Sequence, residues 1–102
     1  MDRITMLNEV LAQDGNNVFA RYGLAVEYSN AGQLERAIDE FQKLLSAHPD
    51  YTAGYFMAAQ TLAKCDRQND AIKMLREGIA TAERKGDTHA QHEMQVMLDE
   101  MV

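Results

Sequence analysis

The sequence predicts an all-α protein of about six helices packed as consecutive antiparallel pairs. Three observations predict it. Strong helix formers dominate, with one proline and few runs of Val, Ile and Thr. Apolar residues recur at helical spacing in two neighbouring stretches, Leu24, Ala25 and Tyr28 and then Ala37, Phe41, Leu44 and Leu45, separated by Ala31-Gly32. The pattern then returns with a period of about 34 residues: Ala37 recurs as Ala71, Phe41 as Leu75, Tyr28 as Leu62 and Ala25 as Ala59. A fixed period of that length is the mark of a stacked repeat.

Each element has its own signals. Asp2 can cap a first helix running to about Gln13, with Ile4, Leu7 and Leu11 as its apolar stripe and Met6 and Val10 widening it. Asp14-Gly15-Asn16-Asn17 is a turn, and Asn16 or Asn17 can cap the next helix, roughly 18–31. Gly32 stops that helix, because glycine takes the left-handed conformation without a Cβ penalty. The following helix, 34–47, ends at His48-Pro49-Asp50, since proline lacks an N–H and restricts its predecessor. Small Ala25 and Ala37 let these two helices approach closely. Asp50 can cap a helix over about 52–65, with Tyr55, Ala58, Ala59 and Leu62 inward. After Asp66-Arg67, a helix from Gln68 to about Lys85 turns Ala71, Ile72, Leu75 and Ile79 inward. Gly86 ends it, and Asp87 caps a last helix over 88–101, where Ala90, Met94, Met97, Leu98 and Met101 share a face.

The unit Leu24, Ala25, Tyr28, Gly32, Ala37, Phe41, Leu44, Leu45, Pro49, with its echo one period on, resembles the tetratricopeptide repeat (TPR), as found in small bacterial proteins made of little else. The resemblance covers nearly the whole chain. It implies one domain, 1–102, folded as a short right-handed solenoid: an N-terminal half-repeat helix (1–17), a first repeat (18–51), a second (52–85) and a C-terminal capping helix (86–102). That is about three repeat equivalents, the minimum for a stacked core. Three departures stand out. The aromatic usual at the fourth position is Arg21 in the first unit, whereas the second keeps Tyr55; the inter-helix glycine is Asp66 in the second; and Glu83 replaces Pro49. The last substitution leaves the register of the final helix open.

Composition narrows the function. A chain of 102 residues is one domain's worth. Sixteen acidic against ten basic residues give a net charge of −6, which disfavours nucleic acid and anionic membrane as partners, both of which need a basic patch. The single Cys65 forms no internal disulfide and suggests a reducing compartment. The first residues carry no apolar signal core, and no apolar stretch is long enough to span a bilayer. The expectation is a cytoplasmic protein.

Catalytic chemistry finds no support. There is no nucleophile elbow, Gly-rich phosphate loop, EF-hand loop or Ser/His/Asp arrangement. His89 and His92, beside Glu93, share a helix face, but zinc sites want three or four ligands on a fixed frame, so a solvated face is the better reading. Cys65 reads as a half-buried residue near a helix end, His48 as an exposed turn residue, and Met94, Met97 and Met101 as packing or, equally, an adaptable contact surface. No enzyme activity, cofactor or metal is expected.

By the resemblance, the first helix of each pair lines a concave groove. The groove positions are then Phe19, Tyr22, Val26, Ser29 and Asn30, followed by Ala53, Phe56, Gln60, Ala63 and Lys64. Only Lys64 and Asn30 could assist in clamping a carboxylate, so a chaperone-tail clamp is disfavoured. The partner-binding set is Phe19, Tyr22, Val26, Ser29, Asn30, Phe56, Gln60 and Lys64. Phe19, Tyr22 and Val26 form one stripe, and Phe56 is the repeat counterpart of Tyr22. They are expected to stand side by side as an aromatic patch outside the core, covered by a peptide or helix of another protein or by a second copy of the chain; the alternative is that Phe19, Tyr22 and Phe56 are covered by neighbouring helices of the chain itself, the last helix included.

Overall fold

The computed structural model describes all residues 1–102 and contains six helices: α1 (Arg3–Gln13), α2 (Val18–Asn30), α3 (Leu34–Ala47), α4 (Thr52–Lys64), α5 (Gln68–Lys85) and α6 (Thr88–Met101). Three begin with the side-chain caps the sequence predicts. Asp2 accepts from the Thr5 N–H at 2.7 Å, Asn17 from Ala20 at 2.9 Å and Asp87 from Ala90 at 3.1 Å. Asp50, expected to cap α4, does not. The turn after Pro49 places Tyr51 at the cap position, and Asp50 instead faces α5, its carbonyl accepting from Lys85 Nζ at 2.7 Å.

Three helices end alike. Gly32, Asp66 and Gly86 are left-handed, with φ of 78°, 59° and 71°. After α2, the Gln33 N–H closes onto the Tyr28 carbonyl at 2.9 Å; after α4, at the equivalent place in the next repeat, Arg67 closes onto Leu62 at the same distance. Both bonds satisfy carbonyls that the helix end would otherwise orphan. Asp66 therefore stands in for a glycine at some conformational cost.

Packing follows chain order, each helix lying against the next. Beyond that, the backbones of α2 and α4, and of α4 and α6, come close, whereas α3 and α5 meet only through side chains such as Ile38, Ala71 and Met74. The array is thus curved, with α2, α4 and α6 on its inner side and α1, α3 and α5 splayed outside. Buried side chains fill the layer between. Ala25, Ala37, Phe41, Leu44 and Ala58 form one cluster; Tyr55, Ala59, Leu75, Ala82, Met94 and Leu98 form another; Ile38, Leu62 and Ala71 bridge them on the outer side. Ala25, Ala37, Ala59 and Ala71 are wholly buried, as close helix crossings require. On α1, Ile4, Leu7 and Leu11 are half-buried, but Met6 and Val10 are 47% and 42% exposed and do not widen the inward stripe. This helix has a neighbour on one side only.

The last helix settles its own register. Glu83, unlike Pro49, lets the preceding helix run on, so α5 has 18 residues to the 14 of α3. Only Gly86 and Asp87 separate it from α6. Met94 and Leu98, the buried residues of α6, lie two positions beyond the places that the repeat period assigns to counterparts of Ala58 and Leu62. With this two-residue slip, α6 continues the inner row.

Candidate protein-binding groove

The inner row presents its expected residues unequally. On α2, Phe19 is 76% exposed, Asn30 is exposed, and Val26 is half-buried at the edge of the α2–α3–α4 cluster. Tyr22 belongs to the same cluster more firmly. Its ring packs edge-on against Phe41 at 6.4 Å and Tyr51 at 5.3 Å, a favoured aromatic geometry. Burial pushes its phenol pKa up, and the neighbouring Tyr51 adds to the shift. Ser29 is buried. Thr61 Oγ1 donates to the Met57 carbonyl at 2.9 Å, so the 3.1 Å bond between the hydroxyls has Ser29 as donor. That bond ties α2 to α4.

On α4, Ala53 and Lys64 are exposed, and Lys64 makes no ion pair; Gln60 and Ala63 are half-buried. Phe56 packs against the α4–α5–α6 cluster. The expectation of one aromatic patch is therefore corrected. Phe19 stands free, but Tyr22 and Phe56 lean into two different core clusters, Tyr22 against Phe41 of α3 and Tyr51, and Phe56 against the α4–α5–α6 cluster.

A depression of about 360 Å³ lies between α4 and α6, lined by Phe56, Gln60, His92, Glu93, Val96, Met97 and Glu100. Phe56 and Gln60 are among the residues that the sequence predicts; the five from α6 are not. The two-residue slip hides them, since Val96 matches Gln60 only when the slip is allowed for. Val96 is 44% exposed. Glu93 accepts from His89 Nε2 at 3.1 Å when that imidazole is protonated or presents its N–H there.

The departures from the repeat pattern help hold the groove's frame. Tyr55 donates its hydroxyl proton to the Pro49 carbonyl at 2.8 Å. Arg21, its counterpart in the first repeat, donates to the Gly15 carbonyl at 3.2 Å, and Gly15 is in turn the counterpart of Pro49. The guanidinium thus takes over the tyrosine's bond to the preceding turn. It also pairs with Glu40 on α3, a half-buried contact that fastens α2 to its partner helix. Cys65 is half-buried at the end of α4, and His48 is half-buried at the end of α3 rather than exposed.

Three comparisons bear on kinship. The family model described as tetratricopeptide repeat matches residues 18–61. A TPR repeat-containing protein of Pseudomonas aeruginosa, PA0015, is 33% identical over 92 residues, covering 90% of this chain and 88% of its own. Among solved structures, protein BPP2914 of Bordetella parapertussis superimposes with a TM-score of 0.87 at 25% identity over 99% of this chain and 88% of that one. A tetratricopeptide repeat domain protein of Salinibacter ruber does so with 0.79 at 29% identity, over 83% and 86%. The groove is thus the inner face of a short TPR-type right-handed solenoid, and the chain belongs to the tetratricopeptide repeat family.

Proposed function

We propose that this protein is a non-catalytic interaction module whose inner face takes a peptide or helix from a partner protein. The observation that carries the reading is Phe19. A phenylalanine 76% exposed on an inner-row helix, with half-buried Val26 two turns along the same stripe, is an anchor with nothing covering it. Phe19, Val26 and Asn30 on α2, with Gln60 and Lys64 on α4, would meet the partner directly. Tyr22 and Phe56 would offer only ring edges, and buried Ser29 would act by holding the two helices at a fixed spacing. The array divides into 1–17, 18–51, 52–85 and 86–102, consistent with the caps and turns. No helix is long and apolar enough to cross a membrane, and the net charge of −6 disfavours nucleic acid and anionic lipid. A cytoplasmic location accords with the lone half-buried cysteine.

A second reading, a self-associating subunit, rests on Met6 and Val10, exposed on α1. Light scattering on the purified protein separates the two: a monomer supports the first, a stable dimer the second. Capture from native extract, with mass-spectrometric identification and direct affinity measurement on the purified partner, tests the first reading. Phe19→Asp is expected to abolish that binding at unchanged melting temperature. Unchanged affinity would refute the assignment of the groove.

A further inference from the structure

The two halves of the inner face differ in charge. The first, around Phe19, Val26 and Asn30, is neutral; Arg21 on the same helix is turned away to Glu40 and Gly15. The second is acidic. Helix α6 carries no lysine or arginine. Its Glu93 and Glu100 border the depression, two turns and so about 10 Å apart along the helix, with Val96 between them. Glu100 makes no ion pair, and the one ion-pair partner of Glu93 is His89, itself almost fully exposed. The cations of the adjoining α5 do not pair with these carboxylates: Arg84 and Lys85 at its end are drawn to Asp50, and Lys73 and Arg76 make no ion pair with α6. Lys64, at the far end of α4, is the one cation on this face.

We propose that the α4–α6 half of the groove selects a basic, apolar-anchored segment of a partner protein. This rests on the groove reading above and specifies its partner. An aliphatic or aromatic side chain would cover Val96, Phe56 and Met97, while lysine or arginine residues on either side of it meet Glu93 and Glu100. The separation of the two carboxylates fits bases seven apart on a helix or three apart on an extended strand. Charge complementarity of this kind fixes orientation as well as choice: the basic end of the ligand lies against α6, and its neutral apolar end against Phe19. An acidic segment is repelled by the same two carboxylates.

A displayed library of random peptides, each long enough to cross the inner face, tests this on the intact protein with no prior partner. Enriched peptides are expected to be cationic, with an apolar residue between the bases. Their affinities, read by fluorescence anisotropy, should fall about 2- to 30-fold in the Glu93→Gln/Glu100→Gln variant, the range for two exposed ion pairs. That variant should also show a flatter salt dependence, and Glu93→Lys/Glu100→Lys should enrich acidic peptides instead. If the enriched peptides carry no basic bias, or ignore the double neutralisation while Phe19→Asp and Val96→Asp still abolish binding, the charge inference falls and the groove stands. If binders are absent, or indifferent to every one of these substitutions, the groove itself falls.

Discussion

Two glycines buried or half-buried inside helices should respond in opposite ways to the same added methyl group. Gly78 lies in the middle of α5, where α4 and α6 both press on it. A Cβ built there falls 2.6 Å from Tyr55 Cβ and 2.5 Å from Met94 Sδ. Ordinary carbon contacts sit at about 3.5–4.0 Å, so the shortfall is about 1 Å on two sides. Tyr55 Cβ is fixed to the α4 backbone and Met94 is wholly buried, so neither can simply swing away. Alanine gains about 1 kcal/mol of helix propensity over glycine, but overpacking of this kind costs about 1–3 kcal/mol. Gly78→Ala should therefore lose up to about 2 kcal/mol net. Gly23, on α2, is the control. Its added Cβ would meet Leu7 and Arg3 side-chain atoms at 3.4–3.5 Å, within normal contact. Gly23→Ala should accordingly gain roughly 0.5–1 kcal/mol from propensity alone. For a domain of this size each kcal/mol moves the melting temperature by about 4–8 °C. Thermal and urea melts followed by circular dichroism read both. Stabilisation by both substitutions would show that α4, α5 and α6 are not as closely packed around Gly78 as described.

Other perturbations follow from single contacts. Ala37→Leu and Ala71→Leu each place bulk at a fully buried helix crossing and should cost about 1–3 kcal/mol in urea denaturation; melts matching the parent would refute the repeat correspondence. Asp66→Gly should relieve the left-handed strain at φ 59° and gain up to about 1 kcal/mol, visible as a raised denaturation midpoint. Tyr22, its pKa raised above the ordinary 10.0 by burial, stabilises the fold fully below that ordinary value; the contribution is lost as pH rises through the folded pKa, because the unfolded chain ionises first. Tyr22→Phe should flatten the alkaline decline in stability, and an unaltered decline would assign it elsewhere. Arg21→Tyr loses the pair with Glu40 but should keep a bond to the Gly15 carbonyl, and so cost less stability than Arg21→Ala; equal melts for the two would sever the link to Tyr55.

How far the sequence can be read depends on what each signal encodes. Helix bounds are legible nearly to the residue, because caps such as Asn17 and Asp87 and stops such as Gly32 and Gly86 act locally. The repeat, too, is legible, since Ala37 and Ala71 occupy equivalent crossings. Less legible is which side of a helix a flank residue serves. Tyr22 and Phe56 sit at groove positions by spacing, yet their rings pack into core clusters that only the three-dimensional arrangement of neighbouring helices brings to them. Asp50 has the chemistry of a cap, but the conformation after Pro49 gives that position to Tyr51. The α6 side of the groove is concealed for a different reason. The replacement of proline by Glu83 alters both the length of α5 and the turn after it, and a two-residue slip defeats any alignment made at a constant period.

The two ends of the array are unlike one another, and this governs how copies can assemble. The α1 end offers Met6 and Val10 to solvent. The solvent side of α6 offers Gln95 and Asp99, bonded to each other at 2.9 Å. Stacking molecules head to tail would press thioether and isopropyl groups onto an amide and a carboxylate, stripping water from the latter without replacing it. Open-ended growth into filaments is therefore opposed at every added subunit. Like ends can still meet: two α1 surfaces would cover each other's apolar groups about a twofold axis and then stop. Self-assembly through the α1 surface should therefore stop at a closed pair.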